Sequence, residues 1–546
     1  MGPWMTLADS VATHARTRPC HLAVRDSRRS LTYREWHERA SRLANSLLAR
    51  GVQPGDRVAL LAYNAIEWLE IYAALAQARL VAVPVNFRLR AAEIAYILGH
   101  SEARAFIVQA PLRDEAEAAL ALAQAEGHEV DTSKRFLFGA DVAPAAGWHL
   151  YESLMSKTLA DEVPVRGLAG VTGVTGVTGA GGDHPPARAD DLFALMYTSG
   201  TTGRPKGAMR SHQGNAWIAW ATALEFGLSA DDTGLLVMPL CHANSLYFAV
   251  TFAMLGASIV VDDRPHFDPA ATLAALAQSR ITFTSLVPTH YIMMLGLPAE
   301  VTSRHDLRAV GKLLISSAPA RAETKRAVMS LFPNARLFEL YGSTEAGWVT
   351  ILRPDEQLDR LGTVGREWAG SGAIRLLDPE GREVPDGEVG ELYSRTAYVF
   401  DGYWKNPDRT AEAFRGAWCS VGDLAVRDDD GYIRLVDRKS HMIISGGENI
   451  YPSEVESVLA AHPSVQDVAV VGVPDSTWGE SVLAVVVCRP GYVANEAELL
   501  DWCRPRIAGY KRPRAVRFIS EAQMPRTATG KIQHRLLREQ MATSNG

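Results

Sequence analysis

Residues 197–207 read Tyr-Thr-Ser-Gly-Thr-Thr-Gly-Arg-Pro-Lys-Gly, the densest run of anion-binding chemistry in the chain. Gly200, Gly203 and Gly207 let the backbone approach an anion closely. Thr198, Ser199, Thr201 and Thr202 can donate hydroxyls to its oxygens, and Lys206 supplies charge. A plain polar turn uses the same residue types but does not explain so long a run of them. A Walker A loop needs Gly before its Lys and Ser or Thr after it. Here Pro205 and Gly207 occupy those places, which disfavours a P-loop kinase or GTPase.

Further segments carry chemistry. Tyr341-Gly342-Ser343-Thr344-Glu345 follows the apolar run 336–340, and a carboxylate there can hold a hard cation that bridges phosphate oxygens. Equally, Glu345 could cap the segment after it. Ser316-Ser317-Ala318-Pro319 ends another apolar run with small residues, leaving room for a flat ring or forming a simple turn. Trp418-Cys419-Ser420-Val421-Gly422-Asp423 ends on a carboxylate. Met442-Ile443-Ile444-Ser445-Gly446-Gly447-Glu448-Asn449 contains two glycines that suit a narrow passage or a tight turn. Pro525-Arg526-Thr527-Ala528-Thr529-Gly530-Lys531 places a lysine in a glycine-containing loop.

Loops need elements to hold them. Short β-branched or apolar runs at 57–61, 192–196, 235–238, 258–261, 281–287, 313–315 and 336–340 alternate with helical patterns such as 270–278 and 322–331. This alternation predicts an α/β fold of mainly parallel sheets covered by helices, with ligands at the carboxyl ends of the strands. From about residue 440 the texture changes. Helices at 454–460 and 496–507 and strands at 465–473, 482–488 and 516–519 predict a small α+β domain. The Gly-Val-Thr repeats at 167–182 read as a flexible surface connection.

With 546 residues, two or more domains are expected. A formal charge of -6 offers no basic field for a polyphosphate backbone, so nucleic acid is not an expected partner. The five cysteines, Cys20, Cys241, Cys419, Cys488 and Cys503, show no CxxC spacing and fit a reducing cytoplasm. No signal peptide or transmembrane run is read. Gly2 and Thr6 match a myristoylation pattern at chance level, with nothing polybasic beside it.

Taken in order, these strings resemble the motifs of the adenylate-forming enzymes, which include acyl-CoA synthetases, adenylation domains of peptide synthetases and firefly luciferase. The similarity covers nearly the whole chain. It implies a large N-terminal domain, 1–438, with a small β-barrel subdomain, and a mobile C-terminal domain, 439–546. It also implies an acyl-CoA synthetase that converts a fatty or aryl acid to its acyl-adenylate with ATP and magnesium, then to a thioester of coenzyme A, releasing AMP and pyrophosphate.

The roles that follow are likewise implied by the resemblance. The loop from Thr198 through Gly203, with Lys206, holds phosphate. Ser317, Ala318 and Pro319 lie along adenine with Tyr341, Gly342 and Ser343. Thr344 contacts the α-phosphate, while Glu345 and Thr201 hold magnesium. Asp423 accepts from the ribose hydroxyls and Arg438 contacts a nucleotide phosphate. Lys531 stabilises the meeting of carboxylate and α-phosphate, and His242, in Pro239-Leu240-Cys241-His242, gates the acid. Ser445, Gly446, Gly447 and Glu448 border the pantetheine passage, and Ser440 is the hinge.

Two departures stand out. Ser420-Val421 replaces the usual Arg-Thr before Gly422-Asp423, and Ser440 stands where Asp or Lys is usual. Trp217, Val287, Pro288, Trp348 and Val349 line the acyl pocket or belong to the core. No Arg or Asp in these segments resembles a partner for a charged acyl tail, which leans toward an apolar acid. Transfer to a carrier-protein thiol, luciferase-like oxidation and a catalytically dead nucleotide-binding regulator are the competing readings. The last is disfavoured because Lys531, Glu345 and Asp423 are all present. Oligomeric state is left open, a homodimer included.

Overall fold

Strands buried on both faces read as unbroken apolar runs, and Arg57–Leu61 and Val81–Val85 are of that kind. The computed structural model describes residues 5–139, 142–155, 187–198, 205–316, 320–439, 441–445, 448–475, 478–492, 494–527 and 530–543. The repeat segment 167–182 lies outside them.

The chain divides into two compact units, Met1–Ala373 with Ser394–Cys419, and Ile374–Tyr393 with Ser420–Gly546. The 438/439 position falls inside the second unit, just after the strand Ile433–Arg438.

Among the described residues, two large sheets lie within the first unit. One has seven strands, in the order His149–Leu150, Arg135–Phe138, Ala103–Gln109, Arg57–Leu61, Val81–Val85, Leu192–Thr198 and Lys206–Ser211. All neighbours in it are parallel except the last pair. The other has eight, in the order Gly347–Leu352, Arg336–Ser343, Lys312–Ser316, Phe283–Leu286, Thr233–Leu236, Ser258–Val261, Leu22–Arg25 and Ser30–Thr32. It too is parallel inside and antiparallel at both edges.

One apolar core joins the two sheets, with Val58 and Leu60 from the first and Leu236 and Ile259 from the second. The helices Ile66–Ala78 and Ala243–Leu255 pass through it and are buried nearly all round, as an interior helix must be. Capping fixes where helices begin. Thr32 and Glu35 form a capping box at Tyr33–Ala49, and Asp268 caps Pro269–Gln278.

In the second unit the strands Val465–Asp475 and Gly479–Cys488 form a long antiparallel pair. Their period of two sends Val468, Val470, Ala484 and Val486 into one core with the helices Pro452–Ala460 and Glu496–Cys503. Ala469, Val471, Leu483 and Val485 enter another core with Leu537 of His534–Thr543. Ile443–Ser445, Glu448–Ile450 and Ala515–Phe518 complete this sheet.

Several element ends differ from the sequence reading. The strand expected at 235–238 runs Thr233–Leu236 instead, because the Val237 and Met238 carbonyls turn out of the ladder to accept from the Asn64 side-chain amide, both at 3.2 Å. The helix expected through 507 stops at Cys503. Among the described residues no helix is long and apolar enough to cross a membrane.

Candidate active site

Thr198 and Lys206 face each other across the antiparallel pair Leu192–Thr198 and Lys206–Ser211, the second of which is the edge strand, so the two ends of the glycine- and hydroxyl-rich segment are held side by side. Ser199, Gly200, Thr201, Thr202 and Gly203 lie outside the described residues.

Arg336–Ser343 and Gly347–Leu352 form the other edge hairpin, and Thr344 and Glu345 sit in its turn. Two glycines make this turn possible. Gly347 adopts φ +71°, and a Cβ on Gly342 would lie 2.3 Å from the Gly347 carbonyl oxygen. Ser343 Oγ accepts from the Ala346 amide at 2.9 Å.

The two hairpins meet at one carboxylate. Glu345 is buried, and its Oε1 accepts from the Thr198 hydroxyl at 3.1 Å and from the Tyr403 hydroxyl at 2.9 Å. Lys206 Nζ stands 4.1 Å from the centre of the Tyr403 ring, a cation–π contact. Tyr403 therefore links the phosphate-loop lysine to the carboxylate. Sequence reasoning missed it, because it lies 58 residues from Glu345 in a segment with no glycine-hydroxyl pattern. The Thr344 and Glu345 carbonyls are held as well, by the buried Arg210 guanidinium at 3.3 and 3.4 Å. Arg210 was also missed.

Magnesium fits this donor set. Glu345 offers a hard carboxylate whose hydroxyl partners share one oxygen. Among the described residues nothing donates to its Oε2, the oxygen that would hold the cation.

His242 is the N-cap of Ala243–Leu255, half-buried at the carboxyl end of the Thr233–Leu236 strand region. Two residues on, Asn244 Nδ2 donates to Ser316 Oγ at 2.9 Å, tying this helix start to the end of Lys312–Ser316. Ser317, Ala318 and Pro319 lie outside the described residues. Of the pocket candidates, Trp348, Val349, Val287 and Pro288 are buried. Trp348 belongs to the core, with its indole N–H on Thr222 Oγ1 at 2.9 Å. Trp217 instead lies 44% exposed on His212–Phe226.

In the second unit Asp423 and Arg438 pair across adjacent strands, Arg438 Nε to Asp423 Oδ1 at 2.9 Å. The departure at Ser420 has a local use. Its hydroxyl donates to Glu391 at 2.8 Å and accepts from the Gly422 amide at 2.9 Å, shaping the turn into Asp423.

Lys531 closes a tight loop. Its carbonyl accepts from the Thr527 amide at 2.6 Å, and Gly530 adopts φ +84°. Arg526 donates to the Gly530 carbonyl at 2.9 Å and pairs with Asp467. The Lys531 side chain keeps open surface, yet its pKa is lowered, first by desolvation, then by the Arg438 charge, with Asp423 opposing. Ser445 pairs with both Glu448 and Gly479 in its sheet. Ser440, Gly446, Gly447 and the Glu448 side chain lie outside the described residues.

Known proteins resemble this chain over nearly its whole length. Residues 11–404 match the family model described as AMP-binding enzyme, and 454–531 match the AMP-binding enzyme C-terminal domain. A feruloyl-CoA synthase of an Amycolatopsis species is 38% identical over 95% of each chain. A long-chain-fatty-acid–CoA ligase of Mycobacterium tuberculosis is 34% identical over 94% of each. The structure of an anthranilate CoA ligase in complex with anthranoyl-AMP superposes with a TM-score of 0.84 at 26% identity, covering 100% of this chain and 99% of that one. With Thr198 bonded to a buried carboxylate and both family models matching the chain, this protein is a member of the AMP-binding, adenylate-forming enzymes.

Proposed function

We propose that this protein is an ATP-dependent acyl-CoA ligase acting on a fatty or aryl carboxylic acid in the cytoplasm. The observation that carries the reading is the convergence on Glu345. Thr198, at the mouth of the phosphate loop, and Tyr403, under Lys206, bond the same carboxylate oxygen, so phosphate-binding and cation-binding groups share one site. The names of several relatives, a feruloyl-CoA synthase, an indoleacetate–CoA ligase and a long-chain-fatty-acid–CoA ligase, support a fatty or aryl acid. All five cysteines are free thiols, which supports a reducing compartment.

Activation begins when a carboxylate oxygen of the acid attacks the α-phosphorus of ATP. A P–O bond forms, the bond to the β-phosphate oxygen breaks, and pyrophosphate leaves in line. Lys206 and the 198–203 loop hold the phosphates, Thr344 orients the α-phosphate, and Asp423 takes the ribose hydroxyls. Glu345 would hold magnesium, whose charge would offset that of the departing pyrophosphate. Lys531 stabilises the negative charge that accumulates as two anions meet. His242 stands beside the acid's carboxylate as its gate.

Thioester formation follows. The sulfur of coenzyme A attacks the acyl carbonyl, the acyl–phosphate bond breaks, and AMP departs. The thiol's approach differs from that of the acid, so one rigid arrangement does not serve both steps. Rotation of the chain about Ser440, with Arg438 holding nucleotide phosphate on its near side, would withdraw Lys531 and bring up Ser445, Gly446, Gly447 and Glu448.

Purified protein, given magnesium, ATP, coenzyme A and a panel of carboxylic acids, should release AMP and pyrophosphate and form a thioester with at least one acid. ADP as the sole nucleotide product would overturn the reading. Transfer to a carrier-protein thiol with none to coenzyme A would overturn its second half.

A further inference from the structure

Arg210 is 1% exposed, in the strand Lys206–Ser211 that follows the phosphate loop. A guanidinium carries five N–H donors and cannot shed its charge, so burying one is costly unless those donors and that charge are met. Here they are met unevenly. Nη1 reaches the carbonyls of Thr344 and Glu345 at 3.3 and 3.4 Å, while Nε and Nη2 are buried without a hydrogen-bond partner among the described residues.

The remaining compensation is electrostatic. The guanidinium carbon lies 5.2 Å from the centre of the Tyr247 ring, and the charge also acts on Asp401. Tyr247 itself donates to the Thr344 carbonyl at 3.4 Å, and the Phe400 amide donates to the Glu345 carbonyl at 2.8 Å. An apolar side chain of similar length would fill this space without stranding two donors. The charge is kept at a cost, in contact with the two residues that the chemistry needs most.

We propose that Arg210 is the positioning residue of the Thr344–Glu345 turn, fixing both carbonyls so that Glu345 presents Oε2 to magnesium while Thr198 and Tyr403 hold Oε1. The proposal rests on Glu345 being the magnesium carboxylate. Arg210 touches no reacting atom. It acts by limiting the angles from which the carboxylate meets the cation, so its loss should appear in magnesium affinity before it appears in packing.

The test measures ATP binding by calorimetry across a series of magnesium concentrations, beside pyrophosphate exchange. Arg210→Met should raise the magnesium concentration for half-maximal ATP affinity by about tenfold, since the turn loses its charged donor. Arg210→Lys, which keeps the charge but not the fork, should raise it by about threefold, and it is the deciding variant if the methionine form does not fold. Thioester formation from supplied acyl-adenylate should be little changed. An unchanged magnesium midpoint in the folded variants would overturn the proposal, and so would equal losses in both half-reactions. Glu345→Gln separates the two levels. If it leaves the magnesium midpoint unmoved, the reading of Glu345 itself fails, whereas a moved midpoint there with none in the Arg210 variants defeats Arg210 alone.

Discussion

Tyr403 donates its hydroxyl to Oε1 of Glu345 across 2.9 Å, joining a segment after residue 394 to the hairpin turn at 343–347. That bond, with Lys206 over the same ring, makes the phosphate loop and the carboxylate one unit.

Tyr403→Phe keeps the ring beneath Lys206 and removes the hydroxyl. Pyrophosphate exchange should fall by about five- to tenfold, with KM for ATP raised, while folding stability drops by about 1 kcal/mol, the worth of one hydrogen bond. Exchange kinetics and a urea titration measure the two. An undiminished exchange rate would show that Thr198 alone holds Glu345.

Lys531→Ala should cost about 10²–10³ in adenylation, as for one preorganised donor of charge, and less in thioester formation from supplied acyl-adenylate. The lysine acts protonated, and its pKa is lowered, so adenylation should fail on the alkaline side at a pH below the ordinary lysine range. The Arg438 cation contributes to that lowering. Arg438→Gln should therefore move the alkaline limb of kcat/KM upward. A limb that stays put in that variant would mean another group titrates there.

Lys325, on the helix Ala322–Leu331, is buried against Glu339 of the site strand Arg336–Ser343, with N and O 2.5 Å apart. Lys325→Met strands a buried carboxylate and should cost about 3–5 kcal/mol, while Lys325→Met with Glu339→Leu should recover most of it. Chemical denaturation of the single and double variants checks the expected non-additivity.

Burial pushes the His212 imidazole down to about 4, with Asp191 opposing and Arg79 adding. Between pH 6.5 and that value the unfolded chain binds a proton that the folded one does not. Stability is therefore full above the unfolded pKa and falls with pH below it, by about 3 kcal/mol for this one group. His212→Gln should flatten the acid slope of Tm against pH. A slope as steep as before would assign the loss to other groups.

How far the site was legible follows from the reach of each residue's signal. Thr198, Lys206, Gly342, Thr344 and Glu345 stand in strings dense in glycine, hydroxyl and charge, and such strings end strands, where parallel sheets expose loops. Runs such as Ser258–Val261 and Ala322–Leu331 were legible to the residue, because an apolar period is a local property. The end of Thr233–Leu236 was not, since Asn64, far away in sequence, draws the next two carbonyls out of the ladder.

The amino-acid sequence by itself determined the family, the alternation of strand and helix, and which loops carry phosphate, cation and lysine chemistry, since each rests on residue types within a dozen positions of one another. Only the tertiary structure decided that Thr198 and Tyr403 share one oxygen of Glu345, that Arg210 bonds the Thr344 and Glu345 carbonyls, and that Trp348 is core while Trp217 is exposed. The hydrogen bonds among them join residues from 58 to 147 positions apart, on the scale of a chain folded back on itself. Local pattern selects an element's period and its capping. It does not select which distant side chain fills the space beside it, because that depends on the packing of every element between.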